Sequence, residues 1–176
     1  MIRILIKPCK GRAEQSALAR EMLFSELSDK FSLPKAEIKK TESGKPYLDG
    51  EGYPVFSISH TDGAVAVAIC DGVASVGVDI EKCSPRLRDT RLTDRFFPAL
   101  SQGENEISDI EILSDGQIAP GAHPETLFTL GEAIIKCDGR GFAAAGEAAR
   151  LSAKMKKASF KIALSGEEYA LSVALL

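Results

Sequence analysis

Val65-Ala66-Val67-Ala68-Ile69-Cys70-Asp71-Gly72-Val73-Ala74-Ser75-Val76-Gly77-Val78-Asp79-Ile80-Glu81 is the stretch on which the reading of this chain turns. Two β-rich runs, 65–70 and 73–80, flank Asp71-Gly72, a dipeptide suited to a tight reversal between strands. The pattern predicts a hairpin whose second strand ends in Asp79 and Glu81. Side chains two apart on a strand leave from one face. Both acids can then meet one hard cation, and magnesium commonly takes one or two carboxylates together with waters and phosphate oxygens. An exposed polar strand end has the same spacing.

Upstream, Ile2, Ile4 and Ile6 alternate with Arg3, Leu5 and Lys7, which predicts a strand ended by Pro8 and Gly11. Ala17, Leu18, Met22, Leu23 and Leu27 give 13–27 a helical period. Pro34 and Ser43-Gly44 punctuate the segment between that helix and the hairpin. Downstream, Ser84-Pro85 offers an N-cap and a first-turn proline for a helix over 85–97 that Pro98 stops. Residues 101–124 hold Gly103, Gly116, Pro120, Gly121 and Pro124 among polar side chains and read as a mobile connection. A helix is predicted over 125–137, ended by Gly139 and Gly141. The runs 160–164 and 169–175 flank Ser165-Gly166 and predict a closing hairpin. This order gives an α+β fold of two similar α/β halves, 1–75 and 76–176, forming a pseudo-dimer. Each half would have a small antiparallel sheet and a packed helix. A single mixed sheet with helices on one face is the alternative.

The chain has 176 residues, 44% hydrophobic and 27% charged, with a net charge of -3. That is ordinary for a globular protein and gives generic nucleic-acid binding no support. Cys9, Cys70, Cys83 and Cys137 are scattered, as reduced intracellular thiols are. Residues 1–10 lack the apolar stretch of a signal peptide, and Ala64–Cys70 is far too short to span a bilayer. The expectation is a cytoplasmic monomer with no membrane and no nucleic-acid partner.

More chemistry lies outside the hairpin. Phe128, Glu132 and Lys136 are four apart and share a helix face. Glu132 before Lys136 suits a surface ion pair of about 0.2–0.5 kcal/mol, or a carboxylate and an ammonium aimed at one ligand. Ser43-Gly44-Lys45-Pro46 could aim N–H groups and an ammonium at an anion, or be an ordinary turn. In Phe56-Ser57-Ile58-Ser59-His60 the apolar members should face the core. Ser57, Ser59 and, at the end of the run, His60 would then take the other side.

Together these pieces resemble the 4'-phosphopantetheinyl transferase superfamily, in its two-half monomeric branch. The resemblance runs from about Glu37 to Phe142. It is carried by Ser-Gly-Lys-Pro, Ser-Ile-Ser-His-Thr, Gly-Val-Asp-Ile-Glu-Lys, Arg95-Phe96-Phe97, Phe-x-x-x-Glu-Ala-x-x-Lys and Gly-Arg-Gly-Phe. It implies transfer of the phosphopantetheine arm of coenzyme A to a serine of an apo acyl- or peptidyl-carrier protein, releasing adenosine 3',5'-bisphosphate. It also implies Mg2+ on Asp79, Glu81 and Glu132, catalytic roles for Glu132 and Lys136, and coenzyme A contacts from Ser43, Gly44, Lys45, Pro46, Ser59 and His60. A non-catalytic coenzyme A- or nucleotide-binding homologue and a metal-dependent phosphohydrolase are the other readings of the same residues. Phe128 stands where the family has tryptophan, and Gly131 where it has lysine. Lysine at 131 is therefore expected to raise activity, unless another segment lies against that glycine. Arg88, Arg91 and Arg95, at helical spacing, predict a basic stripe for an acidic carrier.

Overall fold

The computed structural model describes residues 1–103 and 106–176. Alternating isoleucines build β1 (Ile2–Pro8), and Ala19, Met22, Leu23 and Leu27 form the buried stripe of α1 (Arg12–Phe31). The short strands β2 (Ile38–Lys40) and β3 (Pro46–Leu48) pair as a ribbon. Next come β4 (Val55–Thr61), β5 (Ala64–Cys70) and β6 (Val76–Lys82). They lead to α2 (Pro85–Arg88), α3 (Thr90–Phe96), β7 (Ile110–Leu113), β8 (Gln117–Pro120) and α4 (Thr126–Asp138). A 3-10 segment (Gly141–Glu147), α5 (Ala148–Ser152) and the hairpin β9 (Lys156–Leu164) and β10 (Glu167–Leu175) close the chain.

The fold is α+β. Two four-stranded sheets, ordered β4-β5-β1-β7 and β6-β10-β9-β8, share one apolar core. Ile2, Ile4, Ala66 and Ala68 enter it from the first sheet, and Val78, Ile80, Phe160 and Leu171 from the second. α1 covers the outer face of the first sheet through Leu23 and Leu27, which meet Val65, Val67 and Ile69. α4 covers the second through Leu130, Ala133 and Ile134. All four cysteines are free. No helix among the described residues is long and apolar enough to cross a membrane.

The predicted 65–80 hairpin does not form. β5 pairs with β1 and β4, and β6 pairs with β10 in the other sheet. Every residue of β5 is buried, its valines toward α1 and its alanines toward the second sheet. A strand buried on both faces takes partners on both edges, and β1 and β4 already fill them. The chain still turns at Asp71-Gly72, where Gly72 has φ 74°. It then crosses over, and the N–H groups of Ala74 and Ser75 donate to Leu176 at the end of the second sheet. The single mixed sheet is likewise not formed.

Two further expectations change. The connection 101–124 contains β7, parallel to β1, and β8, antiparallel to β9; its Glu104 and Asn105 lie outside the described residues. β7 extends one sheet and β8 the other, so this segment ties their far edges. Buried Arg3 fixes β7 further through its ion pair to Glu111, and reaches α1 through a second to Glu26. The 85–97 helix is broken at Asp89, whose carboxylate accepts from the Arg91 N–H and caps α3; the Ser84 side chain makes no cap bond. The basic stripe therefore does not run along one helix. Arg88 pairs with buried Glu125, Arg91 with Asp89, and Arg95 lies over the Phe96 ring.

Candidate active site

Three elements meet where the edge of β4 runs beside the edge of β6, under α4. The N–H groups of β6 that point away from β10 find no backbone partner on β4. They donate instead to side-chain hydroxyls: Val78 to Ser57 (3.1 Å), Ile80 to Ser59 (3.3 Å) and Lys82 to Thr61 (3.4 Å). Two of these hydroxyls in turn donate a hydrogen bond. Ser59 donates to Asp79 Oδ1 at 2.7 Å and Thr61 to Glu81 Oε2 at 2.9 Å. The Ser-x-Ser-x-Thr alternation thus joins the sheets and aims both predicted carboxylates.

α4 approaches this seam unusually closely. A Cβ on Gly77 would fall inside the Ala133 carbonyl and the Cys137 amide, so only glycine permits the contact. The contact lets Lys136 reach β6. Its ammonium donates to Asp79 Oδ1 at 2.7 Å, Ser59 Oγ at 2.9 Å and the Val78 carbonyl at 3.2 Å. Its ion pair is with Asp79, and the predicted i,i+4 pair with Glu132 is not formed.

Asp79 is almost fully buried, and its Oδ2 has no hydrogen-bond partner among the described residues. Burial first, and then Asp79, push the Glu81 carboxyl above its usual range. Burial, then Asp79, raise Glu132 to about 7, against the opposing charge of Lys136. The three acids therefore sense one another. Among the described residues, no three His, Cys, Asp or Glu side chains converge in metal-holding positions. The donors nevertheless fit a hard divalent cation: they are oxygens, their mutual repulsion favours one, and Asp79 keeps a buried oxygen unmatched.

Two clefts adjoin this group. One, of about 220 Å³, joins Ser43, Gly44, Lys45 and Pro46 to Ser57, Ile58 and Lys136. The other, of about 370 Å³, is lined by Glu81, Glu132, Arg86, Leu87 and Phe128. Ser43–Pro46, Ser59, Asp79, Glu81, Glu132 and Lys136 thus come from distant segments to one region. His60 does not join Ser59. It is exposed on the opposite face of β4, in line with Phe56 and Ile58, because period two separates neighbours. The Lys45 ammonium is turned inward to Ser75, the Val76 carbonyl (3.2 Å) and the Cys137 carbonyl (2.9 Å). Burial lowers its pKa.

Gly131 also corrects an expectation. A Cβ there would overlap the ring of fully buried Phe97, which lies edge-on to Phe128. The glycine is a slot for that ring, and a lysine does not fit. Sequence reasoning missed Ser57 and Thr61 as seam partners, Arg86 in the second cleft and Phe97 over α4. The Ser-x-Ser-x-Thr alternation is visible in the sequence, but the edge it meets is not. No family model matches the chain, and no curated protein matches it.

Proposed function

We propose that the chain moves the 4'-phosphopantetheine arm of coenzyme A onto a serine of an apo acyl- or peptidyl-carrier protein. One observation carries this reading. Glu132 and Lys136 sit one helical turn apart on α4, each lining a different cleft, with Asp79 within reach of Lys136. Donor and acceptor can then approach one charged group from two separate clefts. The Ser43–Pro46 side would take coenzyme A, and the Glu132 side the carrier serine.

The serine oxygen forms a bond to the phosphorus bearing the pantetheine arm. The P–O bond to adenosine 3',5'-bisphosphate breaks. Glu132, raised to about 7, is basic enough to accept the serine proton near neutral pH. Lys136 stabilises negative charge on the transferred phosphoryl group. Ser59 and Thr61 hold Asp79 and Glu81 in place. A divalent cation on Asp79, Glu81 and Glu132, Mg2+ in this reading, would neutralise pyrophosphate charge.

The halves 1–75 and 76–176 are read as equivalent. Each offers a strand, a helix and a hairpin in that order, with strand orders β1-β5-β4 and β6-β10-β9. The protein is read as a cytoplasmic monomer. The test is transfer of labelled phosphopantetheine to a panel of apo carrier proteins with Mg2+. Labelled carrier supports the reading. Coenzyme A bound without transfer makes the chain a binding protein, and release of free phosphopantetheine makes it a hydrolase.

A further inference from the structure

Asp79 has one oxygen with two donors and one with none. Oδ1 accepts from Lys136 and Ser59, both at 2.7 Å, while buried Oδ2 stands alone among the described residues. An unmatched buried carboxylate oxygen raises the free energy of the site until something positive meets it. Lys136 is the only basic side chain among the described residues that forms an ion pair with Asp79. Its other two contacts are the Ser59 hydroxyl and the Val78 carbonyl. An ammonium has three protons, and here all three are taken up inside the protein. None is left for an anion in the cleft that Lys136 lines with Ser43, Gly44 and Ile58.

We infer that Lys136 is a resident cation that a divalent metal displaces. It neutralises Asp79 while no metal is bound. A divalent cation meeting the unmatched Oδ2 would set a like charge beside the ammonium on Oδ1 and repel it, and Lys136 would turn into the adjoining cleft with its protons free. The inference rests on Asp79 as a ligand of a divalent cation. Charge alone then has two consequences. Metal binds more weakly than the carboxylates by themselves would allow, because a like charge is already seated on Asp79. Metal and anionic ligand also favour each other, because one releases the group that the other uses, and such coupling is reciprocal. The binding site is thereby kept from holding an anion in the absence of metal.

The test uses metal-free full-length protein without coenzyme A or carrier, and Mn2+ as the probe, read by electron paramagnetic resonance. Lys136→Met should bind Mn2+ about tenfold more tightly than wild type, since a like charge a few ångströms away is removed. Lys136→Arg, which keeps the charge, should stay within about twofold. Equal or weaker binding by Lys136→Met overturns the inference. A second measurement needs no variant. The rate of reductive methylation at Lys136, followed by mass spectrometry, should rise on saturation with Mn2+, and an unchanged rate overturns displacement. Mn2+ binding to no form of the protein overturns this inference together with the metal assignment. Carrier labelling with either failure leaves the proposed transferase standing and removes only the displaced lysine.

Discussion

Two helices cover two sheets in this molecule, and they do so differently. α1 lies on β5 through Leu23, Leu27, Val65 and Val67, hydrocarbon against hydrocarbon. α4 lies on β6 so closely that Gly77 touches its backbone, and the charged pair Lys136–Asp79 spans the contact. The first contact tolerates distance, because dispersion and the hydrophobic effect are graded. The second does not, because hydrogen bonds from a lysine on one element to an aspartate on another need a fixed separation. The charged groups of the candidate site gather at the closer of the two contacts.

The sharpest way to break this comparison is to remove one group from each side. Asp79→Ala or Glu132→Ala should lower carrier modification on the order of a thousandfold while the protein stays folded. Leu23→Ala should lose about 2–5 kcal/mol of stability with kcat unchanged below its melting temperature. Equal losses of kcat from both sides would remove the distinction. Urea melts and steady-state rates on the same samples decide.

Glycine variants come next. Gly77→Ala forces α4 off β6 and should cost about 3 kcal/mol, and Gly131→Lys, which collides with Phe97, about 1–3 kcal/mol. Both should melt earlier and transfer more slowly. A Gly131→Lys protein that is as stable as wild type and faster would restore the charge-loss expectation.

Acidity gives a smaller effect. Glu132 ionises near 4.5 when unfolded and near 7 when folded. The folded state holds a proton that the unfolded state has released between those values. That contribution to stability is complete below about 4.5 and is lost as pH rises through about 7. In metal-free buffer, Glu132→Gln should therefore gain melting temperature relative to wild type at pH 8 but not at pH 4. A difference independent of pH would put Glu132 in solvent.

The smallest effect separates neighbours. His60→Ala should leave stability within about 0.5 kcal/mol and, if His60 meets coenzyme A, raise only the KM for it. Ser59→Ala should disturb both stability and kcat.

Much of this is legible locally. Leu130, Ile134 and Cys137 repeat with helical period, and Gly139 in the left-handed region ends α4. Ser165-Gly166 closes β9 and β10 where the sequence predicts a turn. What fails is partner choice. Nothing within 65–80 says that β5 already has a neighbour on each edge, because that is a property of β1 and β4. Ile110–Leu113 is too short to show a period, and its strand exists because β1 has an open edge. The site residues are visible because acids and lysines stand out. Their partners are not, because serine and threonine acquire this role only when two edges meet.

The hydroxyls between β4 and β6 have a further consequence. Ser59 and Thr61 each accept a hydrogen bond from a backbone amide and donate one to a carboxylate. Whatever holds Asp79 and Glu81 still therefore also holds the amides of Ile80 and Lys82. Hydrogen exchange at those two amides, on the edge strand of a sheet, becomes a gauge of the candidate site: a ligand that never touches them should slow it.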